Sequence, residues 1–193
     1  MTRYASKSWR AFRPAAAVTL SAPDARVMGL DPGSRRTGFG VIDCIGGRER
    51  HVASGCIDVS GADLVSRLRR IFTAISALVA EHRPDMIAIE RVFMHRNPDS
   101  ALKLGQARGV ALCAAAAAGA SVHEYAPRAI KLAVTGYGAA AKPQVAQMVS
   151  TLLQLASVPA ADAADALAVA LCHAQTRRLG ALSATQVGAA DAA

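Results

Sequence analysis

Acidic residues are scarce in this chain of 193 residues: 14 Asp and Glu stand against 22 Lys and Arg, a formal net charge of +8. The imbalance points to a polyanionic partner, and it makes any carboxylate set in apolar sequence an anomaly that needs a cause. Long apolar runs are missing too. The most extended, from Val110 to Ala120, is mostly alanine and falls short of the ~20 residues a bilayer-spanning helix needs. Cysteine is sparse and unpaired in pattern: Cys44, Cys56, Cys113 and Cys172 lie far apart with no CxxC or CxxxC spacing. That excludes the usual zinc arrangements and reads as reduced core residues of a cytoplasmic protein. The five histidines have no ligand spacing, and no internal repeat is present. Residues 1–25 have no acid before Asp24, carry Arg3, Lys7, Arg10 and Arg13, and lack an apolar core of signal-peptide length. They read as a disordered or non-native extension.

The remainder has the length of one domain with a full hydrophobic core, over residues 26–178, followed by an Ala-, Ser- and Thr-rich tail from Leu179 that is expected to be disordered. Val27 to Asp31 and Gly38 to Cys44 are short apolar runs joined across Pro32-Gly33, and His51 to Val59 supplies a third strand. From Asp63 to His82, Leu64, Leu68, Ile71, Ile75, Leu78 and Val79 recur at helical spacing. Asp85 to Glu90 then has the density of a buried parallel strand ending in an acid. A small-residue helix from Ser100 to Ala118, a strand from Ser121 to Tyr125 and a helix opening at Pro127 follow. The last two helices span about Lys142–Leu155 and Ala160–Arg177. The order predicts an α/β fold with a mixed five-stranded sheet flanked by helices.

Against this background four acids stand out. Asp162 and Asp165 are the only acids between Tyr125 and Ala190. Three residues apart on a helix, they project from one face. They sit in an alanine-rich stretch, where unpaired carboxylates repel each other and lose solvation, and a bound cation would offset both costs. The alternative is that Asp162 is an N-cap or first-turn acid favoured by the helix dipole and Asp165 is merely solvated. Asp31 and Glu90 each close a strand, a position that turn residues also occupy. Taken together, the four suit phosphodiester hydrolysis by a pair of hard divalent ions, held by carboxylates from separate elements roughly 3.5–4 Å apart.

The chain resembles the RuvC-type Holliday junction resolvases in Gly29-Leu30-Asp31-Pro32-Gly33-Ser34 with Thr37-Gly38, in Ile89-Glu90 with Val92-Phe93, in the segment NPDSALKLGQARGV from Asn97 to Val110, and in ADAADAL from Ala161 to Leu167. The resemblance implies an RNase H-like fold and a homodimer that makes paired symmetric nicks in four-way junction DNA, in recombination and repair. It further implies two Mg2+ ions per subunit, with Mn2+ as a substitute, cleavage to 5′-phosphate and 3′-hydroxyl ends, and cooperation with the branch-migration proteins RuvA and RuvB. Asp31, Glu90, Asp162 and Asp165 fall on the family's metal-binding acids. Phe93 matches a family Phe that stacks at the junction, and Lys131 and Lys142 match basic residues near the scissile phosphate.

Arg91 and Arg96, with Arg35, Arg36 and Arg108, are candidates for phosphate contacts. Three features depart from the family pattern: Arg91 stands where related sequences commonly carry Gln or Glu, residues 1–25 have no counterpart, and the loop from Gly136 to Ala141 carries Tyr137 and Ala141. An actin-like ATP-binding protein shares a strand followed by Asp-Pro-Gly-Ser and Thr-Gly, but its second Asp-Gly phosphate loop is missing here. A related nuclease acting on RNA or a hybrid would use similar strand-end acids, but the NPDSALKLGQARGV segment favours the RuvC type. A non-catalytic junction-binding module would be expected to have lost acids that are all present.

Overall fold

A computed structural model of the chain describes residues 22–61, 63–91 and 97–190, with side chains to residue 183. Strands β1 (Ala25–Asp31), β2 (Arg36–Ile45) and β3 (Arg48–Asp58) form an antiparallel meander. Gly46 and Gly47, both at positive φ, make the two-residue turn between β2 and β3, a conformation that glycine adopts without steric cost. Strand β4 (Met86–Glu90) lies parallel to β1, and β5 (Ser121–Tyr125) parallel to β4, giving the order β3-β2-β1-β4-β5. Helix α1 (Leu64–His82) crosses from β3 to β4 and α2 (Pro98–Ala117) from β4 to β5. Helices α3 (Pro127–Thr135), α4 (Lys142–Leu152) and α5 (Ala161–Ala190) complete the chain. This is the RNase H-like arrangement with its mixed five-stranded sheet.

Local chemistry accounts for the boundaries. Asp63 caps α1 by accepting from the Ser66 N–H, and Arg83 ends it in a left-handed turn. Asn97 caps α2 by accepting from the Asp99 N–H, with Pro98 in the first turn. Helix α4 ends at Leu152, earlier than Leu155, where Gln154 takes a positive φ. Helix α5 continues past Leu179 to Ala190, where composition led to an expectation of disorder. Alanine needs no apolar stripe to be helical, so the missing pattern did not mark an end. Among the described residues no helix is long and apolar enough to cross a membrane.

The two-residue period of the strands sorts the core. Met28, Leu30, Ile87 and Ile89 pack under α1 and α2, with Ile71, Ile75, Ala107 and Ala111. Val27 and Ala88 face the other way and pack with Leu167 and Leu171 of α5, Ile130 of α3 and Val145 of α4. The same parity turns Asp31 and Glu90 toward α5. Helix α5 lies directly on the sheet because three glycines clear its path. A Cβ on Gly29 would come 2.7 Å from the Ala170 nitrogen, on Gly38 2.7 Å from the Asp162 carbonyl carbon, and on Gly40 2.8 Å from the Leu167 nitrogen. Any side chain there would lift the helix, and with it the acids of its first two turns.

Candidate active site

Leu30 pairs with Ile89 in the parallel ladder, so Asp31 and Glu90 occupy the next positions on adjacent strands, at the carboxyl ends where open α/β sheets place their sites. The two carboxyl groups hydrogen-bond to each other. Burial, and then the neighbouring charge of Asp165, raises Asp31 above the usual carboxylate range. Burial and the charge of Asp31 push Glu90 up to about 7. Near neutrality the pair is therefore held short of full ionisation, as expected of two carboxylates held together in a partly desolvated place.

The α5 acids are each met by one cation from another element. Lys142, the first residue of α4, places its ammonium 2.5 Å from Asp165 Oδ2. That hydrogen bond is the main cause holding the Lys142 pKa above its ordinary value. Pro143 in the first turn and the Gln144 side chain, which accepts from the Ala141 N–H, fix the start of α4 where this reach is possible. Arg36, at the start of β2, sets its Nε 3.3 Å from Asp162 Oδ2. The Cys56 thiol of β3 donates to the same oxygen at 3.5 Å. Asp162 is indeed a first-turn acid, and Asp165 is mostly buried rather than simply solvated.

Among the described residues, no three His, Cys, Asp or Glu side chains already form a metal-binding group. The donors nevertheless suit a hard divalent cation: four carboxylates, two of them adjacent and resisting full ionisation, and two paired with basic side chains. Mg2+ commonly keeps several waters and takes only one or two carboxylates, so it does not require a ready-made protein cage. A cation would offset the repulsion between Asp31 and Glu90 and take over the neutralising role now played by Lys142 and Arg36.

The other expected contacts divide. Phe93 and Arg96 lie outside the described residues. Lys131 is half-buried on α3, and no ion pair joins it to the four acids among the described residues. Arg91 is exposed, with its Nε 3.6 Å from Glu124 Oε2. Arg108 is largely buried, 2.9 Å from Glu124 Oε1, and donates to the Glu90 carbonyl at 3.2 Å, so it braces the strand end. Cys113 is exposed on α2 and not a core residue, whereas burial pushes Cys44 and Cys172 up to about 11. His173 has a structural setting, buried with Nδ1 2.7 Å from the Tyr125 hydroxyl and pushed down to about 4, chiefly by burial. Sequence reasoning missed the contacts of Arg36 and Cys56 with Asp162. The only available signal was that Arg36 follows the Asp31 loop and that β3 pairs with β2.

Comparison with known proteins agrees with this arrangement. The family described as crossover junction endodeoxyribonuclease RuvC matches residues 27–173. The crossover junction endodeoxyribonuclease RuvC of Alkalilimnicola ehrlichii is 53% identical over 163 residues, covering 81% of this chain and 99% of that protein. Its counterpart in Pseudoalteromonas atlantica is 55% identical over 150 residues, covering 78% and 87%. The structure of Thermus thermophilus RuvC in complex with Holliday junction substrate superposes with a TM-score of 0.76 at 36% identity, covering 81% of this chain and 97% of that one. With the match spanning both strand-end acids and the paired acids of α5, the chain belongs to the RuvC family of crossover junction endodeoxyribonucleases.

Proposed function

We propose that this chain resolves four-way DNA junctions by paired, symmetric, Mg2+-dependent nicks that leave 5′-phosphate and 3′-hydroxyl ends, in homologous recombination and repair. The observation that carries the reading is the gathering of Asp31, Glu90, Asp162 and Asp165 at one end of the parallel strands, with a lysine reaching into them. Asp31, Glu90, Asp162 and Asp165 would hold the divalent ions. These ions, two per subunit and replaceable by Mn2+, would supply a nucleophilic water at neutral pH and neutralise charge on the scissile phosphate. Asp31 and Glu90 would hold them in their ionised forms. Lys142, released from Asp165, offers its ammonium to the phosphate, where negative charge builds during displacement. Lys131, Arg91, Phe93 and Arg96 belong to the surrounding DNA surface in this reading.

The same reading makes the active form a homodimer that works with RuvA and RuvB in the cytoplasm. Free cysteines and a positive net charge support a reducing compartment and a polyanionic substrate. Residues 26–178 would form the nuclease domain, with 1–25 as an extension outside it. The test is incubation of a labelled mobile four-way junction, a linear duplex and an RNA/DNA hybrid, each with and without Mg2+. Paired symmetric nicks confined to the junction, and only with the metal, are expected. Cutting of the hybrid in preference to the junction would overturn the assignment. Asp162→Asn is expected to abolish nicking while the variant still binds the junction, because it removes a metal ligand and not a phosphate contact. Full Mg2+-dependent cleavage by that variant would defeat the role given to the acid.

A further inference from the structure

We infer that Arg36 is a DNA-phosphate residue held in reserve on Asp162 and exchanged against the divalent cation, so that metal and junction binding favour each other. The inference rests on the nuclease reading above and adds to it a residue and a coupling. Arg36 Nε lies 3.3 Å from Asp162 Oδ2, and the Arg36 side chain is 60% exposed while that of Asp162 is 30% exposed. The guanidinium thus straddles the boundary between the acid cluster and solvent. Its position mirrors that of Lys142, whose side chain is 74% exposed and whose ammonium lies on Asp165. Each acid of α5 is therefore closed by a cation from a different element, Arg36 from β2 and Lys142 from α4.

A carboxylate oxygen engaged by a guanidinium is a poorer ligand for a divalent ion, since the ion must displace or outcompete a positive charge. Once Asp162 is committed to a cation, Arg36 loses that counter-charge and is repelled by the ion, with only the exposed Asp58 left opposite it on the β2–β3 ladder, while its planar fork remains suited to a phosphate. The backbone of a four-way junction supplies phosphates. A phosphate that engages Arg36 in turn frees Asp162 for the metal. By linkage, whatever factor DNA contributes to metal affinity, the metal contributes to DNA affinity. Cys56 donates to the same oxygen at 3.5 Å, a contact to Asp162 separate from that of Arg36.

The test compares the full-length chain with Arg36→Gln, and with Arg48→Gln as a control for net charge. Arg48 is exposed beside the turn at the opposite end of the β2–β3 pair from Arg36. Calorimetric titration with Ca2+, a hard oxygen-seeking ion, measures metal affinity without relying on cleavage. A labelled four-way junction titrated with and without Ca2+ measures DNA affinity, with intactness checked on a denaturing gel. Arg36→Gln is expected to bind Ca2+ roughly two- to five-fold more tightly in the absence of DNA, the scale of one partly exposed ion pair. In the presence of Ca2+ it is expected to bind the junction more weakly, with the magnitude of its salt slope reduced by about 0.9. The factor by which Ca2+ tightens junction binding should shrink relative to the unsubstituted chain, and Arg48→Gln should reproduce none of these changes. Unchanged Ca2+ affinity in Arg36→Gln, or the same change in Arg48→Gln, would overturn the exchange. Failure of the unsubstituted chain to bind Ca2+ or the junction would instead overturn the nuclease reading on which it rests.

Discussion

Glu90 shows how the site trades stability for chemistry. Burial, and then the charge of Asp31, lift it to about 7 from an ordinary value of 4.5. At this group the folded chain therefore holds more proton than the unfolded chain between pH 4.5 and about 7, so the contribution of Glu90 to the stability of the metal-free protein falls as pH rises through that window, against the opposite contribution of His173, pushed down to about 4. Above it the full cost of two adjacent carboxylates is present. Glu90→Gln keeps the shape and a hydrogen bond to Asp31 but removes the charge. At pH 8 it is expected to stabilise the metal-free protein by about 1 kcal/mol, or roughly 2–4 °C in Tm, and to remove Glu90's share of the dependence of Tm on pH between 5 and 8 while abolishing cleavage. Thermal melts at several pH values in chelator check this, and an unchanged Tm at pH 8 would show that the pair is not strained. At this scale the sequence was legible where chemistry was local. Asp162 and Asp165 are conspicuous because no other acid lies near them in a basic chain. Asp31 and Glu90 are conspicuous only as strand ends. Arg36 and Cys56 were invisible as partners of Asp162 because nothing in their own neighbourhoods points to a helix so distant in sequence.

At the scale of elements, the first two turns of α5 and the ends of β1 and β4 meet because Gly29, Gly38 and Gly40 let a helix lie flat on two strands. Gly38→Ala places a Cβ 2.7 Å from the carbonyl carbon of Asp162 and nearer still to its oxygen. Backbone cannot swing aside as a flexible side chain can, so α5 must shift. The expected cost is about 1–3 kcal/mol, as for other overpacked interiors. Cleavage should fall further than stability alone accounts for, since Asp162 moves with the helix. Denaturant unfolding together with cleavage measured where the variant remains folded separates the two effects. Normal turnover at normal stability would mean that α5 is not seated on these glycines. Strand and helix order could be read from periodicity, because burying one face imposes that periodicity on Leu68, Ile71, Ile75 and Val79 of α1 as much as on the strands. The purpose of the strand glycines could not, since a missing side chain has meaning only once the neighbour filling its space is known. The length of α5 escaped for the opposite reason: its alanines favour helix without an apolar stripe to reveal it.

For the whole molecule, one set of four acids can account for one nick, whereas resolution of a four-way junction requires two cuts on opposing strands. A homodimer built around a two-fold axis would supply two equivalent sites to the two-fold arrangement of strands at the junction. The net charge of +8 is sequence-independent attraction that brings the protein to DNA without choosing where it cuts. Selection of paired cuts must then come from simultaneous engagement of both sites, a geometric condition that charge does not impose. If so, a subunit carrying Asp162→Asn should interfere with its intact partner. Mixed with a growing excess of Asp162→Asn chains and allowed to exchange subunits, the unsubstituted chain should increasingly occur in mixed dimers that bind a junction and nick one strand. On a supercoiled plasmid with an extruded cruciform, single nicks yield open circles and paired nicks yield linear product. The ratio of open circles to linear product should therefore rise with the fraction of substituted subunits, while the total number of nicks per unsubstituted chain changes much less. A ratio that stays constant after exchange has been verified would mean that the two cuts come from independent monomers, and the two-fold assembly would have to be abandoned.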